Sequence, residues 1–216
     1  MQDALPLTRD VVLIGGGHTH ALLLRAWGMA PLPGARLTVV NPDPEAPYSG
    51  MLPGFVAGHY RRDDLMIDLV RLARFAGARL VLDRAVNLDR SRRLVHLTGR
   101  APVRYDVASI DIGITSDMPG IPGFAEHAHP AKPLAPFADP AVIGGGVAGM
   151  ELGLAMAFRL GPGRVTLVEA AATVLPDLAA GTRTALMAEA ARLGLAPRRG
   201  TPVSSVGADH VTLASG

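Results

Sequence analysis

Two glycine-rich turns constrain this chain more than any other feature in it. The first, Gly15-Gly16-Gly17-His18-Thr19-His20, follows the apolar run Val11-Val12-Leu13-Ile14. The second, Gly144-Gly145-Gly146-Val147-Ala148-Gly149, follows Ala141-Val142-Ile143. Each leads into a helix-like stretch and then a β-branched run, Arg36–Asn41 in one case and Arg164–Glu169 in the other. Strand, tight turn, helix and strand make the unit that holds a dinucleotide pyrophosphate. The first glycine permits the sharp turn, the second lets a phosphate approach the backbone, and the third lets the helix pack closely on the strand. The free N–H groups of the helix N-terminus and its dipole then hold the negative charge. The second turn supplies all three positions with Gly144, Gly146 and Gly149. The first has Gly15 and Gly17 but places His20 where the third glycine belongs. One such unit suggests one nucleotide; two in tandem suggest a flavin in one domain and a nicotinamide in the other.

The residues closing the second strands, Asn41 and Glu169, fall about 25 positions past the first glycines, close to where a ribose-binding acidic residue is expected. Glu169 fits that role. No arginine follows it directly to meet a 2′-phosphate, so NAD is favoured over NADP. Asn41 carries no charge but can hydrogen-bond a ribose hydroxyl.

Composition narrows the alternatives. With 216 residues, 49% of them hydrophobic, the chain can bury a core in one or two domains. A net charge of +2, scattered arginine pairs and 4% aromatic residues argue against a nucleic-acid partner. There is no cysteine, which excludes a disulfide framework, a thiolate metal site and a redox-active CxxC. Met1 to Asp10 lacks the pattern of a signal peptide, and no apolar run reaches the length of a membrane span; a cytoplasmic location is the expectation. His18 and His20 are two residues apart and would not share a helix face, so no metal site is expected. Phosphate contact for His18 and packing for His20 are the favoured readings. Lys132 is the sole lysine among 21 basic residues. It can be read as a cation placed by a cofactor or as an exposed linker residue.

The periodicities predict an α/β chain of two Rossmann-like three-layer units in tandem, the first carrying a β meander. Strand 10–14, helix 18–29 and strand 36–41 open the first unit. A proline- and glycine-rich loop over 41–54 leaves the carboxyl end of the second strand. Asp68 caps a helix over 69–76, strand 79–82 follows, and the meander runs through 86–89, 92–97 and 103–112 to Gly113. A proline-rich linker over 127–140 joins strand 141–143, helix 147–160, strand 164–169 and helix 178–193. The expected domains are 1–137 and 138–216. The strand before Gly144 is short, and no third parallel strand follows in the second unit. We therefore expect a missing interior segment near 138–140 and a chain truncated at its C-terminus.

The motifs GGGHTH, PYSGMLPG, DLVRLARFAGARLV, SIDIGIT, HPAKPL, GGGVAGMELG and VEAAATVLP, in that order, resemble the flavoproteins with two dinucleotide-binding domains. These form the pyridine nucleotide–disulfide oxidoreductase superfamily. Within it the motifs resemble the NADH-dehydrogenase-like group, and more narrowly the proteins associated with selenide, water dikinase. The resemblance implies FAD on the first domain and NADH on the second, with hydride passing to the flavin and electrons on to a small acceptor such as a quinone. It further implies that Gly15, Gly16, Gly17, His18 and Thr19 hold the FAD pyrophosphate, Asn41 its ribose and the main chain near Val86 its adenine. Ser49, Gly50 and Met51 would reach the flavin ring, and Gly113 would close the first domain. Gly144, Gly146 and Gly149 would cradle the NADH phosphates, with Glu169 on its ribose. Glu151 would lie toward the nicotinamide, although a carboxylate in a first helical turn also stabilises any helix. Lys132, singled out by its isolation among arginines, is read as lying by the flavin edge or pairing with Glu151. A homodimer and a peripheral place at the inner membrane face belong to the same family pattern. The competing reading is a non-catalytic nucleotide-binding module with an incomplete flavin site.

Overall fold

The computed structural model describes residues 9–113, 120–128 and 141–214. In chain order the first elements are β1 (Arg9–Ile14), α1 (His18–Met29), β2 (Ala35–Asn41) and β3 (Glu45–Pro47). A 3-10 turn at Ser49–Met51 leads to α2 (Leu52–Val56), and a second at Arg62–Leu65 leads to β4 (Met66–Asp68). Then come α3 (Leu69–Ala76), β5 (Arg79–Leu82), β6 (Ala85–Asp89), β7 (Leu94–Leu97), β8 (Val103–Arg104), β9 (Val107–Ile110) and the short α4 (Phe124–His127). The chain continues through β10 (Ala141–Ile143), α5 (Val147–Leu160), β11 (Thr166–Val168), α6 (Ala180–Arg192), β12 (Val203–Val206) and β13 (Val211–Leu213). The backbone divides into two compact units, Met1–Tyr48 with Met66–Ile114, and Ser49–Leu65 with Thr115–Gly216.

The first unit is built on a parallel sheet of order β5-β2-β1-β9, the α/β arrangement that the alternating pattern predicts. Successive residues of β1 face opposite sides of this sheet. Val12 and Ile14 join Val40, Val81, Val95, Leu97 and Tyr105 beneath the antiparallel meander β6-β7-β8. Leu13 joins Leu24 of α1, Leu37 and Val39 of β2 and Ala76 of α3 on the other side. Helices, parallel sheet and meander thus make three layers. α3 is well delimited: Asp68 accepts the Arg71 N–H at 2.9 Å, and Gly77 ends the helix at φ 62°.

One expectation needs correcting. The apolar run 103–112 does not form one meander strand. β8 closes the meander, the chain turns at the buried Tyr105, and β9 re-enters the parallel sheet beside β1 with Val11 opposite Val107. Asp106 drives the break: its carboxylate accepts the Asp10 N–H at 2.8 Å, and its own N–H donates to Asp10 O. Alternation is the same in both strands, so periodicity alone does not mark the junction.

In the second unit β10 and β11 pair in parallel, Val142 opposite Leu167, and Arg198 extends the pairing through a parallel bridge to Val168. α5 buries Met150, Leu152, Ala155 and Met156 against Leu167, Val174 and Leu195, and Leu52 and Val56 of α2 share that core. β12 and β13 form an antiparallel pair. The linker over 129–140, Lys132 within it and the suspected gap near 138–140 lie outside the described residues.

Leu24 is fully buried under the sheet. Leu24→Ala is expected to lower the unfolding free energy by about 3 kcal/mol through lost transfer energy and a residual cavity, measured by urea titration.

Candidate functional site

Both glycine turns sit at the carboxyl ends of parallel strands, the edge where open α/β sheets take ligands. In the first, Gly15 leaves β1 at φ 95° and donates to Val40 O at 2.8 Å. In the second, Gly144 leaves β10 at φ 106° and donates to Val168 O at 2.9 Å. Both conformations favour glycine.

The middle glycine of each turn is braced by the side chain that follows the second strand's apolar run. Gly16 N–H donates to Asn41 Oδ1 at 2.9 Å, and Asn41 Nδ2 donates to Asp43 O at 2.8 Å. Gly145 N–H donates to Glu169 Oε2 at 2.5 Å, and Ala171 N–H donates to Glu169 Oε1 at 2.7 Å. Each middle glycine is also closely packed by side chains. A Cβ at Gly145 would lie 2.7 Å from Val174 Cγ1 and 3.0 Å from Glu169 Cβ; one at Gly16 would press on Leu69 and Ala46.

The third positions solve one problem in two ways. A Cβ at Gly149 would run into the Gly144 carbonyl oxygen, so only glycine lets α5 close on the turn. In the first turn the corresponding residue is His20, which is 1% exposed and directs its ring at the corresponding carbonyl. Nδ1 lies 2.8 Å from Gly15 O and Nε2 lies 2.9 Å from Ser109 Oγ. A carbonyl can only accept, so Nδ1 carries the proton and Nε2 accepts from the serine hydroxyl when the ring is neutral. His20 is a packing residue that ties the turn to β9.

The helix N-termini differ most. Neither α1 nor α5 has a side-chain cap at its own N-cap residue, Gly17 or Gly146. At α5 a Cβ on Gly146 would meet nothing within 4 Å among the described residues. A nucleotide pyrophosphate fits this seat. At α1 the Asp111 carboxylate fills the seat, with Oδ2 accepting Thr19 N–H at 3.0 Å and His20 N–H at 3.3 Å. The first turn therefore has the backbone for a pyrophosphate, but a carboxylate stands at the end of it. The signal for Asp111 was in the sequence: an acidic residue at the carboxyl end of an apolar strand, two residues before Gly113.

His18 is exposed and stacks obliquely on Tyr48, with ring centroids 5.8 Å apart. Val86 lies on β6, 59% exposed, and Gly113 has φ 69°. Ser49, Gly50 and Met51 form a 3-10 turn within the second compact unit, ahead of α2. Glu151 is exposed on α5. Leu175, buried and with φ 53°, donates its N–H to Gly145 O at 2.9 Å and holds the loop after Glu169 against the turn. Beside that loop a cavity of about 480 Å³ is lined by Thr173, Val174, Met187 and two arginines, Arg183 and Arg199, which nothing in the local sequence around Glu169 announced. Among the described residues no group of His, Asp and Glu could hold a metal ion, and no helix is long and apolar enough to cross a membrane.

The family model for pyridine nucleotide-disulphide oxidoreductases matches residues 9–215. The chain belongs to this family. Its members are flavoprotein oxidoreductases that depend on FAD and NAD(P)H. No curated protein matches the chain. Among solved structures it is similar to the reduced CoADR-RHD of Bacillus anthracis, with a TM-score of 0.79 and 20% identity over 97% of this chain and 42% of that one. It is also similar to the water-forming NADH oxidase of Lactobacillus brevis bound to NADH, with a TM-score of 0.73 and 21% identity over 97% and 51%. A third is the sulfide:quinone oxidoreductase of Aquifex aeolicus, with a TM-score of 0.69 and 18% identity over 95% and 54%. The chain spans about half the length of these structures, and the likeness is one of fold.

The two kinds of glycine separate by experiment. Gly146→Ala is expected to leave the melting temperature unchanged while weakening NADH binding at least tenfold, because its methyl group enters only the open seat. Gly149→Ala is expected to lower stability by about 2 kcal/mol or more, because its methyl group meets backbone. Calorimetry with NADH and thermal melts on both variants check this.

Proposed function

We propose that this chain is the nucleotide-binding part of an FAD-dependent NADH oxidoreductase that passes electrons to a small acceptor, a quinone being the candidate. The observation that carries the reading is the pair of braced turns, each at a strand's carboxyl edge and each leading into a helix without a side-chain cap of its own, in a chain that belongs to a flavoprotein family. In this reading residues 1–137 and 138–216 are tandem Rossmann-like domains, a division by sequence that differs from the compact units in assigning Ser49–Leu65 to the first domain. The narrower assignment, to the NADH-dehydrogenase-like group and the proteins associated with selenide, water dikinase, rests on the sequence motifs.

In the second unit the α5 N-terminus, framed by Gly144, Gly146 and Gly149, would take the NADH pyrophosphate. Glu169 keeps lone pairs beyond its two backbone bonds to accept from ribose hydroxyls. In the first unit Gly15, Gly16, Gly17, His18 and Thr19 would receive the FAD pyrophosphate, with Asn41 bracing the turn beside the ribose. Val86 and Gly113 would flank the nucleotide, and Ser49, Gly50 and Met51 would approach the flavin ring. Bound FAD would supply hydride acceptance and electron transfer. The protein side chains then have to position and shield rather than act as nucleophile or base. Lys132 is proposed, from its isolation among the arginines, as a cation near the flavin, and Glu151, from its family position, as a carboxylate near the nicotinamide. The chain has no cysteine, so electrons would leave without a protein thiol, unlike in a disulfide reductase.

NADPH is a second reading that one observation favours, since Arg183 and Arg199 line the cavity beside the loop after Glu169. Glu169 weighs against it, because a 2′-phosphate would be repelled by its carboxylate.

Purified protein supplied with FAD is expected to retain a flavin spectrum that bleaches on anaerobic addition of NADH. A colourless protein would leave the nucleotide-binding-module reading. Glu169→Gln is expected to raise the dissociation constant of NADH about tenfold, with less effect on NADPH, by removing a charge-assisted bond of ~1.5–3 kcal/mol. Titrations with both nucleotides check it, and tighter NADPH binding by the wild type would favour the second reading.

A further inference from the structure

The first turn holds an anion that belongs to the chain itself. Asp111 Oδ2 accepts the N–H groups of Thr19 and His20 in the first turn of α1 at 3.0 and 3.3 Å. The Asp111 backbone is fixed at the same spot: its N–H donates to Ile14 O at 2.8 Å, and its carbonyl accepts Gly17 N–H at 3.1 Å. A Cβ at Gly17 would overlap all three carboxyl-group atoms, so glycine at position 17 clears room for this carboxylate. At the corresponding position of the second turn, a Cβ on Gly146 would meet no atom of the described residues within 4 Å. The same backbone motif thus occurs twice in one chain, once with its seat open and once with its seat filled.

A helix N-terminus carries the equivalent of roughly half a positive charge and a few free N–H groups. One carboxylate satisfies most of that capacity. A pyrophosphate arriving there meets a like charge and finds two of the N–H groups engaged. We propose that Asp111 is a resident competitor for the pyrophosphate of FAD and sets the affinity of the first unit for the flavin nucleotide. Binding requires the Asp111 side chain to rotate out of the seat, leaving its backbone bonds to Ile14 and Gly17 in place. The inference rests on the reading of the first turn as the FAD site and assigns to Asp111 a role that Asn41, Gly15 and Gly17 do not have.

Asp111→Asn is the decisive variant. It keeps an oxygen that can accept the same two N–H groups and removes the charge. Asp111→Ser, a neutral residue with an oxygen suited to capping, is the second variant should the first fold poorly. Wild type and variants are titrated with FAD, followed by flavin fluorescence, over a series of salt concentrations, and separately with NADH as a control on the second unit. Asp111→Asn is expected to bind FAD about tenfold more tightly at low salt, and the gap is expected to narrow as salt screens the repulsion. A merely structural role for Asp111 would weaken FAD binding in the variants at every salt concentration, and that result overturns the proposal. Equal, tight FAD binding by wild type and variants also overturns it while leaving the flavin reading intact. If wild type and variants all bind NADH and none binds FAD, the flavin reading fails and the inference fails with it.

Discussion

The N–H group of the middle glycine is the point on which each turn depends. A tight turn between strand and helix exposes an amide that neither element can satisfy, and a buried N–H left alone costs ~1–3 kcal/mol. This chain answers twice in the same way, by reaching back from the end of the second strand with an oxygen: Asn41 Oδ1 to Gly16, Glu169 Oε2 to Gly145. The bond fixes the turn to the neighbouring strand and fixes the orientation of the side chain proposed to face the ribose. Two jobs fall to one oxygen. The turn is therefore organised before a nucleotide arrives, and less of the binding energy goes into ordering it.

The carbonyl of the first glycine imposes the companion constraint. The incoming helix must either come close enough that nothing but glycine fits, as at Gly149, or present a donor to that oxygen, as His20 does. The histidine route adds a link to Ser109 on β9, so the first turn is held from three strands where the second is held from two. A departure from the glycine pattern thus need not mean a loosened site. Here a buried imidazole with both nitrogens partnered replaces close backbone contact.

Much of this was legible in the sequence for stated physical reasons. α1, α3 and α5 emerge where apolar spacing and delimiting residues agree: Asp68 and Gly77 bracket α3, and Gly146 and Gly161 bracket α5. The glycine turns follow from their place between strand and helix. Other features were not legible because their cause is tertiary. The apolar run 103–112 divides at Tyr105 and Asp106 because Asp106 bonds with Asp10, nearly a hundred residues away in sequence. α2 is five residues with a proline and a glycine among them, and its burial comes from packing with α5 rather than from its own propensity. Arg183 and Arg199 reach one cavity from a helix and a loop that only folding brings together. Leu175 adopts φ 53°, unfavourable for a branched side chain, because its burial and its bond to Gly145 O outweigh the local strain.

Seen together, the two turns place their charge at opposite ends. The second sets a carboxylate, Glu169, at the proposed ribose end and leaves the proposed phosphate end open among the described residues; the first sets a neutral amide, Asn41, at the proposed ribose end and a carboxylate, Asp111, at the proposed phosphate end. In each turn one carboxylate, Asp111 or Glu169, accepts backbone N–H groups, so the presence of such a bond does not distinguish them, whereas its position does. A carboxylate at the ribose end offers acceptors to hydroxyl donors and lies apart from the pyrophosphate. A carboxylate at the helix N-terminus takes the interaction that the pyrophosphate itself would make. Placement of a single acidic residue, rather than the glycine pattern the turns share, is therefore what would make one seat ready for a nucleotide and the other conditional on displacing a group already there.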